Sequence, residues 1–171
     1  TTLTRSNGVY LIEDENDFLE MRDLVNSGAE NSEGVPYSTC KYRLTNDITI
    51  NDNYSWEPIG INKWVSGPIW GGVYTGSYVA QPFTGQFDGD GFTIYTSSES
   101  NIEVNGAAET LIRRYGLFGI VRQTGSEPVI KDLHVQYKLF KMPPASTGGS
   151  SLVDAYVGGL VSKLTGNGPN I

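Results

Sequence analysis

The chain has 171 residues, enough for one domain with a sizeable core. Its formal charge of −7, from 19 acidic residues against 12 Lys and Arg, argues against a basic nucleic-acid-binding face. The single cysteine, Cys40, rules out an internal disulfide; the single histidine, His134, rules out a His-based metal site and leaves a Cys- or Ser-centred triad without an obvious partner.

Glycine is abundant (21 residues) and, with many Tyr and Thr and few Ala, Lys and Glu, points to short strands and turns rather than helices. No apolar run is long enough to span a membrane. No signal peptide is legible from Thr1, so any such peptide is expected to have been removed or left out.

In chain order, Thr1 to Gly8 is a polar lead-in and Val9 to Ile12 a first strand. Glu15 to Asn26 reads as the one helix, with Phe18, Met21, Leu24 and Val25 on one apolar face. Asp14 or Asn16 can cap its start and Gly28 can end it. We read this helix as a cap over the end of a stack of strands. Ala29 to Thr39 is a polar loop. Tyr42 to Ile50 is a strand pair, Tyr42 and Leu44 alternating, then Ile48 and Ile50, with a corner at Asn46-Asp47. Trp56-Glu57-Pro58-Ile59-Gly60 follows a turn. Asn62 to Ala80 breaks the rhythm as an excursion rich in aromatic residues, a loop or small hairpin.

The stretch from Pro82 to Ile94 organises the chain. Two apolar strands, Phe83 to Phe87 and Phe92 to Ile94, flank Asp88-Gly89-Asp90-Gly91, a turn made of residues that tolerate positive φ or bond their own backbone. In isolation this is a hairpin; in its context it reads as parallel strands stacked in layers. Beyond a polar excursion from Thr96 to Glu109 come Tyr115 to Val121 and Val129 to Val135. A Pro-, Gly- and Ser-rich loop, Lys141 to Ser151, then leads to Tyr156 to Ser162.

Gly116-Leu117-Phe118-Gly119 recurs as Gly159-Leu160-Val161-Ser162, an offset of 43 (159 − 116), each copy followed by Thr-Gly and an isoleucine, Ile130 or Ile171. Leu-Thr-Asn-Asp-Ile, Trp-Glu-Pro-Ile-Gly, Phe-Thr-Gly-Gln-Phe-Asp-Gly-Asp-Gly-Phe-Thr-Ile, Gly-Leu-Phe-Gly, Ile-Lys-Asp-Leu and Val-Gly-Gly-Leu-Val occur in this order. The set, covering Tyr42 to Ile171, resembles the GLUG-repeat proteins. Ser162 stands where that motif often closes with Gly. The resemblance implies an all-β fold, a right-handed parallel β-helix (β-solenoid) with an N-terminal capping helix and loop excursions. It also implies a secreted or surface-anchored setting among adhesins and the accessory regions of large peptidases and carbohydrate-active proteins. It brings no catalytic set. Because Ile171 corresponds to the strand residue Ile130, the chain is expected to stop inside a coil. It would then be a fragment of a longer protein, or part of an assembly completed by a second chain or a C-terminal remainder.

Asp88 and Asp90 are the most tempting carboxylates, since paired acids run glycoside hydrolysis. The preferred reading is a turn that needs Asp and Gly, with calcium bound by both acids and nearby carbonyls as a lesser alternative. Asp47 and Asp52 read as corner residues, His134 as a surface residue and Cys40 as a lone thiol in a loop or small pocket. Asn53-Tyr54-Ser55 is a glycosylation sequon, meaningful in a eukaryotic secreted protein. No glycine run precedes Lys-Ser/Thr, so no phosphate loop is present. Trp56, inside the repeat motif, reads as structural. Trp64, Trp70, Tyr74 and Tyr78 are the candidate ligand-binding residues, because flat rings stack on the C–H faces of sugars.

The resulting expectation is an N-terminal segment over residues 1–41 (strand, capping helix and loop) and GLUG-like coils over residues 42–171. The expected function is a non-catalytic extracellular or cell-surface module for adhesion, glycan contact or structural assembly, within a larger protein. The alternative is the N-terminal portion of a carbohydrate-active enzyme. No cofactor is expected, and the expected partners are a glycan or host-surface ligand, with neither nucleic acid nor a membrane span.

Overall fold

A computed structural model describes residues 1–51, 56–96, 99–101, 112–137, 139–141, 154–157 and 160–166. Asp52, the sequon Asn53-Tyr54-Ser55, most of the polar stretch 97–111, the loop 142–153, Gly159 and Ile171 lie outside these residues.

The chain opens with β1 (Thr4–Ser6) and β2 (Val9–Ile12), an antiparallel pair. Helix α1 (Glu15–Ser27) follows. Asp14 is its N-cap, accepting a bond from the Asp17 amide at 2.9 Å, and Gly28 ends it at φ 73°. A 3-10 turn at Tyr37–Thr39 leads into β3 (Lys41–Leu44) and β4 (Ile48–Ile50). The long strands β5 (Ile61–Trp70) and β6 (Val73–Gln81) come next, then β7 (Gln86–Asp88), β8 (Thr93–Thr96) and β9 (Glu99–Asn101). The remaining strands are β10 (Ile112–Tyr115), β11 (Phe118–Gln123), β12 (Ile130–Lys131), β13 (His134–Gln136), β14 (Leu139–Lys141), β15 (Asp154–Val157) and β16 (Val161–Gly166).

One sheet has the order β1-β2-β3-β7-β12, parallel except for β1, and a second, all parallel, has the order β13-β8-β4. Strands β9 and β14, β10 and β15, and β11 and β16 form parallel pairs, while β5 and β6 form an antiparallel ribbon. The two strands of the central stretch therefore do not pair with each other: β7 lies between β3 and β12, and β8 between β4 and β13. In β11 and β16, Phe118 sits opposite Val161, the offset read from the sequence repeat.

The expected all-β, right-handed parallel β-helix needs correction. The fold is mixed α/β, with one helix and several small sheets, mostly parallel or mixed, and no solenoid is shown among the described residues. Two physical features account for the difference. Helix α1 is part of the central core, with Phe18, Met21 and Val25 fully buried. The parallel strands are only 2 to 6 residues long, and the two longest strands belong to the antiparallel ribbon instead. Apolar repeats in a sequence establish that short strands recur and pair; they do not by themselves join the sheets into one coil.

The core is threaded by aromatic rings. Tyr37 packs on Tyr10, Tyr10 on Tyr42, Tyr42 on Phe83, Phe83 on Phe118, Phe118 on Phe87, Phe87 on Phe18 and Phe18 on Trp56, with centroids 5.5 to 6.0 Å apart. Gly85 is required where two backbones meet, since a Cβ there would lie 1.9 Å from the Cys40 carbonyl oxygen. Its amide donates to Ser38 O at 2.9 Å.

Candidate contact hairpin

Residues 61–81 form the longest regular element among the described residues, and its sequence explains why. Alternating Val, Ile, Trp and Tyr favour extended strands, and Gly71-Gly72 lies between them. Both glycines have positive φ (54° and 80°), as a two-residue turn that follows the twist of a ribbon demands. Register runs from Ile61 opposite Gln81 to Trp70 opposite Val73, with an irregularity between Ser66 and Ile69. Pro68, which has no N–H to lose from the ladder, sits in that bulge. The Thr75 hydroxyl donates to its carbonyl.

The root of the hairpin is tied to the body. The Asn26 side chain, at the end of α1, donates to Pro58 O at 2.8 Å and accepts from the Gly60 amide at 2.9 Å. The backbones of Ile59 and Leu117–Gly119 exchange bonds, Ile59 N with Leu117 O at 3.1 Å and Gly119 N with Ile59 O at 2.8 Å. Beyond the root the ribbon leaves the core. Ile69, Trp70 and Val73 are 61%, 70% and 64% exposed, unusually open for large apolar side chains.

Of the residues expected to contact a ligand, Trp64 stands opposite Tyr78 and Tyr74 opposite Ile69, whereas Trp70 stands opposite Val73 at the tip. Alternation along the strands assigns positions 64, 69, 74 and 78 to one face of the ribbon and positions 70 and 73 to the other. The four aromatic positions thus share one hairpin but not one face. The sequence reading overlooked Ile69 and Val73. The signal was present, since Gly-Gly between strand-forming residues marks a two-residue turn and places its neighbours at a tip. It also overlooked Asn26, for a lone Asn late in a helix carries no distinguishing pattern.

Trp56 belongs to a different environment. It is 3% exposed, its indole N–H donates to Leu117 O at 3.0 Å, Phe18 stacks on one side of it and the Arg22 guanidinium lies 4.7 Å from its ring centre.

The central acids serve the backbone. Asp88 accepts a bond from the Asp90 amide at 2.8 Å through Oδ1, and its Oδ2 lies 3.9 Å from Lys131 Nζ. Asp90 is exposed and left-handed at φ 49°, a conformation Asp tolerates, and the Gly91 amide donates to Asp132 O. Asp47 accepts from the Thr93 amide at 2.8 Å and so links the corner after β3 to β8. Among the described residues no group of three or more His, Cys, Asp or Glu is placed to hold a metal ion.

His134 is exposed on β13. Cys40 is buried, its thiol 3.4 Å from Pro36 O, and burial pushes its pKa up, away from a reactive thiolate. The Tyr42 hydroxyl donates to Tyr37 O at 2.7 Å, and burial raises that phenol far above its ordinary value. Among the described residues no helix is long and apolar enough to cross a membrane. Comparisons of the chain with protein-family models, with curated proteins and with solved structures found no match.

Proposed function

We propose that this chain is a non-catalytic extracellular or cell-surface contact module, used for adhesion, glycan contact or structural assembly, and that the β5–β6 hairpin is its contact element. The observation that carries the reading is the 70% exposure of Trp70 at the end of a regular hairpin rooted in the core. Exposed aromatic rings on a rigid support bind with little loss of side-chain freedom. The hairpin holds Lys63 as its only charged residue and no carboxylate, so it offers a surface for contact rather than groups for acid–base chemistry. The resemblance to GLUG-repeat proteins supports the surface setting as part of the same proposal.

The test is affinity electrophoresis of the chain through gels cast with a panel of polysaccharides and afterwards stained for degradation. Retardation without clearing, reduced in Trp64→Ala or Trp70→Ala, is the expected result for glycan contact. Clearing of the gel would overturn the non-catalytic reading and direct attention to Asp88→Asn and Asp90→Asn. Retardation untouched by both tryptophan variants would remove the hairpin from the contact.

A further inference from the structure

We infer that the hairpin tip, Ile69-Trp70-Gly71-Gly72-Val73, is a wedge that enters the interfacial zone of a zwitterionic lipid surface, a role that does not depend on the chain binding a glycan. Three observations converge on it.

The first is the geometry of the exposed groups. A sugar ring or a flat protein partner is met by one face of a ribbon. Here Ile69 belongs to one face and Trp70 and Val73 to the other, and all three are more than 60% exposed. An apolar tip on both sides matches a medium that surrounds it. The second is depth. The apolar tip takes in two residues of β5 and one of β6, which at ~3.4 Å per residue extends about 7 Å from the turn. An interfacial element sinks about 5–10 Å into the boundary between headgroups and acyl chains. Below the tip, past Pro68 and Tyr74, comes a band of small or polar residues, Gly67 and Ser66 on one strand and Thr75, Gly76 and Ser77 on the other. Tryptophan is the side chain that favours this zone, having an apolar body and one N–H to hydrate. Cross-strand pairing up to Trp70 opposite Val73 satisfies the inward-facing backbone groups of the entering strands, and those on the two outer edges are hydrated in the headgroup zone, which keeps the wedge interfacial.

The third observation is charge. Residues 61–81 carry no acid, although the chain carries 19. The tip itself is neutral, so no ion has to be desolvated as it enters. The acidic remainder of the chain is repelled by anionic headgroups, which selects a zwitterionic surface over an anionic one.

The experiment uses the full 171-residue chain carrying Trp64→Phe, so that Trp70 reports from the hairpin while Trp56 stays buried. It is mixed with phosphatidylcholine vesicles, with and without one-fifth phosphatidylserine, and followed by co-sedimentation and by quenching from lipids brominated high in the acyl chain. The expected result is partition into phosphatidylcholine, weaker with phosphatidylserine at low salt, with Trp70 quenched. Trp70→Ala should lower partition about tenfold or more, as should Ile69→Ser with Val73→Ser. The latter pair keeps Trp70 and should abolish its quenching. Ile69, Trp70 and Val73 are exposed, so the tip variants are expected to keep the near-ultraviolet spectrum of the Trp64→Phe parent, apart from the loss of the Trp70 ring itself. No co-sedimentation at millimolar lipid would overturn the inference. So would partition unchanged by the tip variants, or binding to anionic vesicles alone that salt removes. None of these outcomes bears on retardation in polysaccharide gels, so the two proposals fail separately.

Discussion

Trp56 and Trp70 are the same side chain in two opposite situations. Trp56 lies against α1, stacked on Phe18, covered by Arg22 and bonded through its indole N–H to Leu117 O. Trp70 stands at the end of a ribbon with 70% of its surface exposed. The body buries the rings of Phe18, Trp56, Phe83, Phe87 and Phe118 and uses Asp47, Asp88 and Asp90 at corners and turns; the hairpin exposes Ile69, Trp70 and Val73 and carries no acid. Residue type alone does not separate a buried ring from an exposed one in this chain. The element that bears the residue does.

The sharpest way to break the comparison is to truncate both rings. Trp56→Ala leaves a large cavity between Phe18 and Arg22 and removes one of the two donors to Leu117 O, the other being the Ile59 amide, and should cost about 3–5 kcal/mol. Trp70→Ala removes a side chain from water and should change stability by no more than about 0.5 kcal/mol. Urea denaturation of both variants checks this. Equal losses would mean that the hairpin tip is packed, and the two regions would no longer be distinct.

The second contrast uses glycine. Gly85→Ala forces a Cβ against the Cys40 carbonyl, a backbone atom that cannot swing aside, and should cost about 3 kcal/mol, at the upper end for overpacking. Gly72→Ala has nothing within 4 Å of its Cβ and carries only the strain of a positive φ, about 1 kcal/mol, confined to the turn. Thermal unfolding should separate the two clearly. A Gly72→Ala effect as large as that of Gly85→Ala would show that the ribbon folds as one cooperative unit with the body.

The parts of this arrangement that rest on local rules were legible in the sequence. Helix α1 follows from the spacing of Phe18, Met21 and Val25 between a capping Asp14 and a terminating Gly28. Asn46-Asp47 and Asp88-Gly89-Asp90-Gly91 declare themselves as corner and turn. The repeat offset reappears in Phe118 opposite Val161. Legibility ends where long-range geometry decides. That α1 supplies core rather than merely covering an end depends on Phe18 meeting Trp56 and Phe87, residues distant in the chain. How the small sheets sit together is likewise set by contacts that no local pattern encodes, and the solenoid reading failed there. In residues 61–81 the aromatic residues were visible, but their division between two faces depends on the bulge at Ser66–Ile69, which shifts register by one and cannot be read from composition.

Asn26 tests the joint between the two regions. Its amide bonds both Pro58 O and the Gly60 amide, replacing at the hairpin root the partners that a neighbouring strand would supply. A ribbon of only two strands is marginal alone and depends on such anchorage. Asn26→Ala leaves a half-buried carbonyl and amide unpaired and should lower global stability by about 1–2 kcal/mol, the smallest of these effects on the body. Its larger consequence is local. Amide protons of β5 and β6 should exchange faster relative to those of β3 and β7, because opening the hairpin no longer requires breaking the bond pair at its root. Asn26→Asp discriminates within the effect: it keeps an acceptor for the Gly60 amide and loses the donor to Pro58 O, so it should fall between wild type and alanine. If exchange in β5–β6 stayed fixed while the whole chain weakened, Asn26 would be serving the body alone, and the hairpin's anchorage would lie in the backbone bonds between Ile59 and Leu117–Gly119.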